Sequence, residues 1–155
     1  GGAGVAATGA GARDLRESLP EAQSVRPVRG YSLTVQRPES APLVSLTDVS
    51  RKLAFATIGD RFRVAGLADI FAPGSGYNDR RFDALLAATE SVFPGLFSAA
   101  PTVLRWSGER PMTPSSQPII GPSRRIDGLY LNLGHGGLGW TLSLGSARRI
   151  ADMLA

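Results

Sequence analysis

The chain has 155 residues, which suits one domain or a piece of a larger protein, since domains commonly run to about 100–200 residues. Hydrophobic residues make 43% and charged ones 19% without a long charge block, which argues against wholesale disorder, and no apolar run reaches the roughly 18 residues of a membrane-spanning helix. The absence of cysteine rules out a disulfide scaffold, a thiol nucleophile and a thiolate metal site, while the net charge of +4 rests on scattered arginines and Lys52 that form no basic arm for nucleic acid.

The opening is nearly all Gly and Ala, with no charged leader ahead of an apolar stretch, so no signal peptide is expected; the first residue is not Met, as in a fragment. Thr8-Gly9-Ala10-Gly11 runs into a segment where Leu15 and Leu19 are four apart and Pro20 stops the turn. This predicts a short strand, a tight turn and a short helix. Tyr31, Leu33 and Val35 alternate with Ser32, Thr34 and Gln36, the pattern of a half-buried strand over Val25–Val35 that ends at Arg37-Pro38. The runs 53–58 and 61–66, separated by Gly59-Asp60, predict a β-hairpin.

After a loop at 72–76, a helix opens at Asn78 or Asp79 with Phe82, Leu85, Leu86, Thr89, Val92 and Phe93 on one face, and Pro94-Gly95 ends it. Strands are predicted at 102–107 and 129–133, the second launched by Asp127-Gly128. The last element is a helix from Gly137 or Leu138 onward, with Trp140, Leu144, Ala147, Ala151 and Leu154 on one face and Arg148-Arg149 toward its carbonyl end. Strands and helices in this order, with a hairpin between, predict an α+β fold: a largely antiparallel mixed sheet plus a C-terminal helix.

Chemistry concentrates in two stretches. In Leu133-Gly134-His135-Gly136-Gly137-Leu138-Gly139-Trp140-Thr141 a strand gives way to a helix through four glycines, baring backbone N–H groups at a positive helix end. Such a turn suits an anion or an electron-rich ring edge; equally, it serves tight packing alone. His135 is the only histidine, and no nearby aspartate orients it as a base, so a structural role outweighs acid–base work and metal binding is weaker still. In Trp106-Ser107-Gly108-Glu109-Arg110-Pro111-Met112-Thr113-Pro114 the prolines restrict the backbone around Arg110, which suits bidentate capture of a carboxylate; the alternative is an ion pair with Glu109 or another surface acid.

Gly108–Gly121 followed by Leu129–Thr141 and an amphipathic helix resembles the C-terminal part of FAD-dependent D-amino-acid dehydrogenases, whose wider relatives are D-amino-acid, glycine and sarcosine oxidases. Arg26–Thr34 and Arg51–Phe55 resemble the same branch, so the likeness runs over essentially the whole chain. It implies residues 1–22 as the end of an FAD-binding domain, 23–110 as a substrate domain and 111–155 as the return to the FAD-binding domain.

By this resemblance Arg110 holds the substrate carboxylate, Tyr31 lines the active site, and Gly9, Gly11, Gly134, His135, Gly136, Gly137, Leu138, Gly139, Trp140 and Thr141 meet the cofactor. The α-hydrogen of a D-amino acid leaves as hydride to FAD, and electrons pass on to a quinone or another respiratory acceptor, or to oxygen in an oxidase. The implied place is the cytoplasm or the inner face of the bacterial membrane. A Gly-x-Gly-x-x-Gly turn after a first strand, with an acidic residue about twenty positions on, is missing. The expectation is therefore the C-terminal part of a larger flavoenzyme that alone binds FAD weakly or not at all and self-associates through bared surface; the competing expectation is a cofactor-free binding or structural module.

Overall fold

The computed structural model describes residues 2–70, 78–98 and 102–155. In chain order it contains β1 (Gly4–Ala6), 3₁₀ turns at Gly9–Leu15 and Pro20–Ser24, β2 (Arg26–Gln36), β3 (Leu46–Asp48), β4 (Leu53–Ile58), β5 (Arg61–Ile70) and α1 (Asp79–Glu90). There follow β6 (Leu104–Met112), β7 (Ile119–Pro122), β8 (Leu129–Leu133), a 3₁₀ turn at Gly136–Leu138 and α2 (Gly139–Leu154). The loop expected at 72–76 lies outside the described residues. The α+β expectation holds: one sheet has five strands in the order β3-β4-β5-β2-β6, the other three in the order β1-β8-β7.

The chain divides into two compact units, the first made of Gly1–Val28, Ile70–Ala72 and Glu109–Ala155, the second of Arg29–Asp69 and Pro73–Gly108. In the second unit the hairpin forms in the expected register, Ile58 opposite Arg61 and Phe55 opposite Val64. Only Gly59 of its two turn residues takes a positive φ, at 60°. Alternation puts Tyr31, Leu33 and Val35 on the same core as Phe55, Phe62 and Val64, and Phe82 and Leu85 of α1 complete it. Tyr31 meets Phe82 edge to face, with ring centres 5.3 Å apart. Thr89, fully buried, donates its hydroxyl to the Leu85 carbonyl at 2.8 Å, so its polarity costs the core little.

Two features of this unit escaped the sequence pattern. β3 pairs antiparallel with β4, and β5 continues to Ile70 past Leu67, whose φ of 60° breaks the alternation.

In the first unit β1 runs parallel to β8, Val5 opposite Tyr130, and β7 runs antiparallel to β8, Ile120 opposite Asn132. Ala12, Leu19, Ala22, Val25, Leu131 and Leu133 form its core. The short helix expected before Pro20 is a 3₁₀ turn, and β7 was not anticipated.

The final helix forms, but its apolar stripe is not a core face. Trp140 is 94% and Leu144 85% exposed, Ala147, Ala151 and Leu154 are also exposed, and the helix buries Ser146 and Ile150 instead. The 4-3-4-3 spacing correctly marks an amphipathic helix, yet spacing does not say which face its neighbours cover. Arg148 and Arg149 fall short of the last turn, where Arg148 pairs with Asp152 at 2.7 Å.

Candidate functional site

The glycine turn is built by the end of β6 crossing it. Met112 and His135 form an isolated antiparallel bridge. A Cβ on Gly134, at φ 77°, would lie 2.5 Å from Thr113 Cγ2, and one on Gly136, at φ 57°, would overlap Met112 Sδ. Packing therefore demands glycine at these two positions, though against the exit of β6 rather than between strand and helix.

Gly137 and Gly139 are different. Neither has a positive φ, and a Cβ there would make only ordinary contacts, 3.8 Å to Arg110 Cδ and 3.6 Å to His135 Cβ. Nothing in this fold requires their bareness. They stand where α2 begins without a side-chain cap, so the first N–H groups of a 16-residue helix face outward at its positive end.

Arg110 lies within β6, not after it, and its side chain rests against Gly137. Its neighbour Glu109 binds Arg13 at 2.9 Å, so the expected alternative, an Arg110–Glu109 pair, does not form. Among the described residues Arg110 has neither a hydrogen-bond partner nor a carboxylate.

A cleft of about 330 Å³ brings Gly9 of the first 3₁₀ turn together with His135, Gly136 and Gly139, and is closed by Ala7, Pro111, Asn132, Ser143 and Ser146. Gly9 has a φ of 57° and open space around its α-carbon, whereas Gly11 packs on Thr8. His135 Nε2 and Asn132 Oδ1 are buried without partners among the described residues. Burial pushes the His135 pKa below its ordinary value and so favours the neutral ring.

Leu138, Trp140 and Thr141 point outward; Trp140 and Thr141 border a second hollow of about 400 Å³ with Ser143 and Leu144. Asn132, Ser143 and Ser146 were not singled out from sequence, although a polar residue inside Leu-Tyr-Leu-Asn-Leu was a readable signal.

Tyr31 belongs to the second unit, where it is 3% exposed and donates its hydroxyl to Asp69 at 2.6 Å. Arg81 holds the same carboxylate through Nε at 3.0 Å and through a second, close contact from Nη2. A larger cleft of about 510 Å³ lies elsewhere on the first unit, beside β7. Its one acid, Glu21, accepts from Ser123 Oγ at 3.0 Å and the Arg124 N–H at 2.7 Å, and these bonds lower its pKa; it serves to cap a turn. Among the described residues no group of three His, Asp or Glu side chains is placed to hold a metal, and no helix is long and apolar enough to cross a membrane.

Comparison with known proteins gives this arrangement a family. The DAO family, described as FAD dependent oxidoreductase, matches residues 2–153. The chain is 39% identical over 160 residues to D-amino acid dehydrogenase 2 of Ralstonia nicotianae, a match covering 97% of this chain and 37% of that protein. It is 45% identical over 133 residues to a D-amino acid dehydrogenase of Sinorhizobium medicae, covering 84% and 31%. Among solved structures it is similar to glycine oxidase from Geobacillus kaustophilus, with a TM-score of 0.84, 25% identity, and coverage of 98% of this chain and 41% of that one. The chain thus spans about a third of the length of the curated relatives it matches. With residues 2–153 matched, the chain belongs to the FAD dependent oxidoreductase family.

Proposed function

We propose that this chain supplies the substrate-anchoring and flavin-facing part of an enzyme that oxidatively deaminates D-amino acids. The observation that carries the reading is Arg110: a guanidinium on a strand, laid against the glycine turn, and left without a carboxylate among the described residues. A planar fork with free donors is suited to bidentate capture of an α-carboxylate.

The residues present fit one side of FAD. Gly137 and Gly139 leave a surface clear of side chains, His135 Nε2 and Asn132 Oδ1 are buried polar atoms in want of partners, and the start of α2 offers free N–H groups with Thr141 beside them. When bound, FAD supplies the two-electron acceptor for the α-hydrogen, which leaves as hydride and gives an imino acid that water hydrolyses.

The chain's own part is to bind and orient. Arg110 fixes the carboxylate and so the α-carbon, and the positive end of α2 stabilises negative charge placed against it. Neutral His135 accepts or donates one hydrogen bond and moves no proton in the reaction. Tyr31 serves the substrate part by holding its strand in the core of the second unit. Gly9 and Gly11 belong to the handover from the nucleotide-binding part, so that residues 1–22 and 111–155 serve the cofactor and 23–110 the substrate. Electrons leave for a quinone or another respiratory acceptor.

A cofactor-free module is the second reading, favoured by the uncovered stripe on α2. A chimera tests both: the part of the Ralstonia relative outside the match, joined to this chain. The proposed function predicts a yellow protein whose flavin bleaches anaerobically with D-amino acids and not with their L-forms. Arg110→Ala should raise KM and slow bleaching, and Arg110→Lys should restore little. A colourless chimera, or unchanged kinetics in Arg110→Ala, would count against it.

A further inference from the structure

The face of the five-stranded sheet opposite its core carries a cluster that the proposed function does not use, with Ser32 buried beneath it. Ser32, Arg63 and Trp106 stand on three adjacent strands, β2, β5 and β6, all within the second unit. Alternation turns Ser32 and Arg63 away from the core that takes Tyr31, Leu33, Phe62 and Val64. Arg63 Nη2 donates to Ser32 Oγ at 2.9 Å, and the guanidinium carbon sits 5.3 Å from the centre of the Trp106 ring. The ring lies back against Gly108: a Cβ at that position would clash with Cη2 and Cζ2 of its six-membered part, which gives this glycine a reason of its own.

Ordered surface arginines in this chain commonly have carboxylates. Arg13 has Glu109, Arg51 has Asp48, Arg81 has Asp69, Arg105 has Asp79 and Asp83, and Arg148 has Asp152. Arg63 is held as firmly, by a hydroxyl and an aromatic face, and no acid among the described residues pairs with it. One N–H goes to Ser32 and the cation lies beside the indole ring, while the other guanidinium donors have no partner among the described residues. Trp106, 55% exposed, adds an apolar wall beside those donors.

We infer that Ser32, Arg63, Trp106 and Gly108 form a binding site for a small organic acid, the carboxylate on the Arg63 fork and the carbon skeleton against the Trp106 ring. The site stands on the second unit alone and is independent of the role given to Arg110.

The test uses Trp106 as reporter. Trp106 and Trp140 are the only tryptophans, so the whole chain carrying Trp140→Phe reports from the site itself. Titration with glutarate should give a saturable change in fluorescence, whereas glutaramide, its neutral counterpart, should give none and sulfate a weaker response. Arg63→Met keeps the apolar stem and should weaken glutarate binding about tenfold or more, with Arg63→Lys recovering only part because a point charge lacks the fork. Gly108→Ala should displace the ring and weaken binding with Arg63 intact, which keeps the test decisive if Arg63→Met fails to fold by circular dichroism. Arg110→Ala should leave the titration unchanged. No saturable response, equal binding of glutaramide or sulfate, or an unaltered Arg63→Met would overturn the inference. A response abolished by Arg110→Ala and kept in Arg63→Met would overturn it too, by assigning the acid to Arg110.

Discussion

The second unit closes a large aromatic core although Leu43, Val44 and Trp106 stay exposed, and the first closes a smaller aliphatic core beside a final helix whose apolar stripe is bare. Phe55, Phe62, Phe82, Leu33, Leu53 and Leu85 are at most 2% exposed and share one cluster, whereas Trp140 and Leu144, among the largest side chains of the first unit, lie almost wholly in water. The glycines differ in the same way. Gly66 of β5 is demanded by Leu53, since its Cβ would lie 2.5 Å from Leu53 Cδ2, while Gly137 and Gly139 are demanded by nothing inside the chain. A residue type without an internal reason, in a unit with uncovered apolar surface, is what a binding surface leaves when seen from one side.

The comparison breaks first at its extremes. Phe82→Ala should destabilise the chain by about 3–5 kcal/mol in urea unfolding, because it empties the middle of a closed core. Trp140→Ala should change stability by no more than about 0.5 kcal/mol, as an exposed side chain with few neighbours. Equal costs would erase the distinction between the units.

Within the glycine turn, Gly136→Val should cost about 2–3 kcal/mol, since it meets Met112 Sδ at a positive φ. Gly137→Ala should be almost silent in the same assay yet weaken flavin retention in the chimera. Tyr31→Phe should cost about 1–2 kcal/mol, because Asp69 loses one donor and keeps Arg81. A Tyr31→Phe variant as stable as the parent would show that this hydroxyl does nothing for the fold.

The smallest effect is a slope. The folded pKa of His135 is lowered by burial, so the unfolded chain binds the proton more readily. The stability this neutral ring carries is complete above the unfolded pKa, about 6.5, and is lost as pH falls below it. His135→Gln should flatten unfolding free energy against pH in that window, and His135→Asn should leave the pH profile of the chimera's activity unchanged. A steeper acid loss in His135→Gln would contradict the burial argument.

Long-range pairing and coverage were hidden from the sequence; local pattern was not. β2, the hairpin β4–β5, α1 and β8 follow from alternation, Gly59-Asp60 and helical spacing, all of which act within a few residues. β3 and β7 are short and carry no alternation long enough to read. The stripe on α2 was legible as amphipathic, but its neighbours decide whether it is a core face.

At the site, Arg110 stood out because prolines frame it, yet the Glu109 beside it meets Arg13, ninety-six positions away in sequence. Tyr31 was visible as a strand residue, while its bond to Asp69 spans thirty-eight positions. Leu67 holds a positive φ that nothing in its residue type announces.

The central claim is that the first unit carries one side of a flavin site and needs a further nucleotide-binding part to hold FAD tightly. A fluorescence titration of FAD with the 155-residue chain and with the chimera tests it directly. Contacts at the glycine turn reach the ring side only, and the pyrophosphate calls for a Gly-x-Gly-x-x-Gly turn in a βαβ unit. The account predicts weak or undetectable quenching by the chain and stoichiometric quenching by the chimera; tight stoichiometric quenching by the chain alone would contradict it.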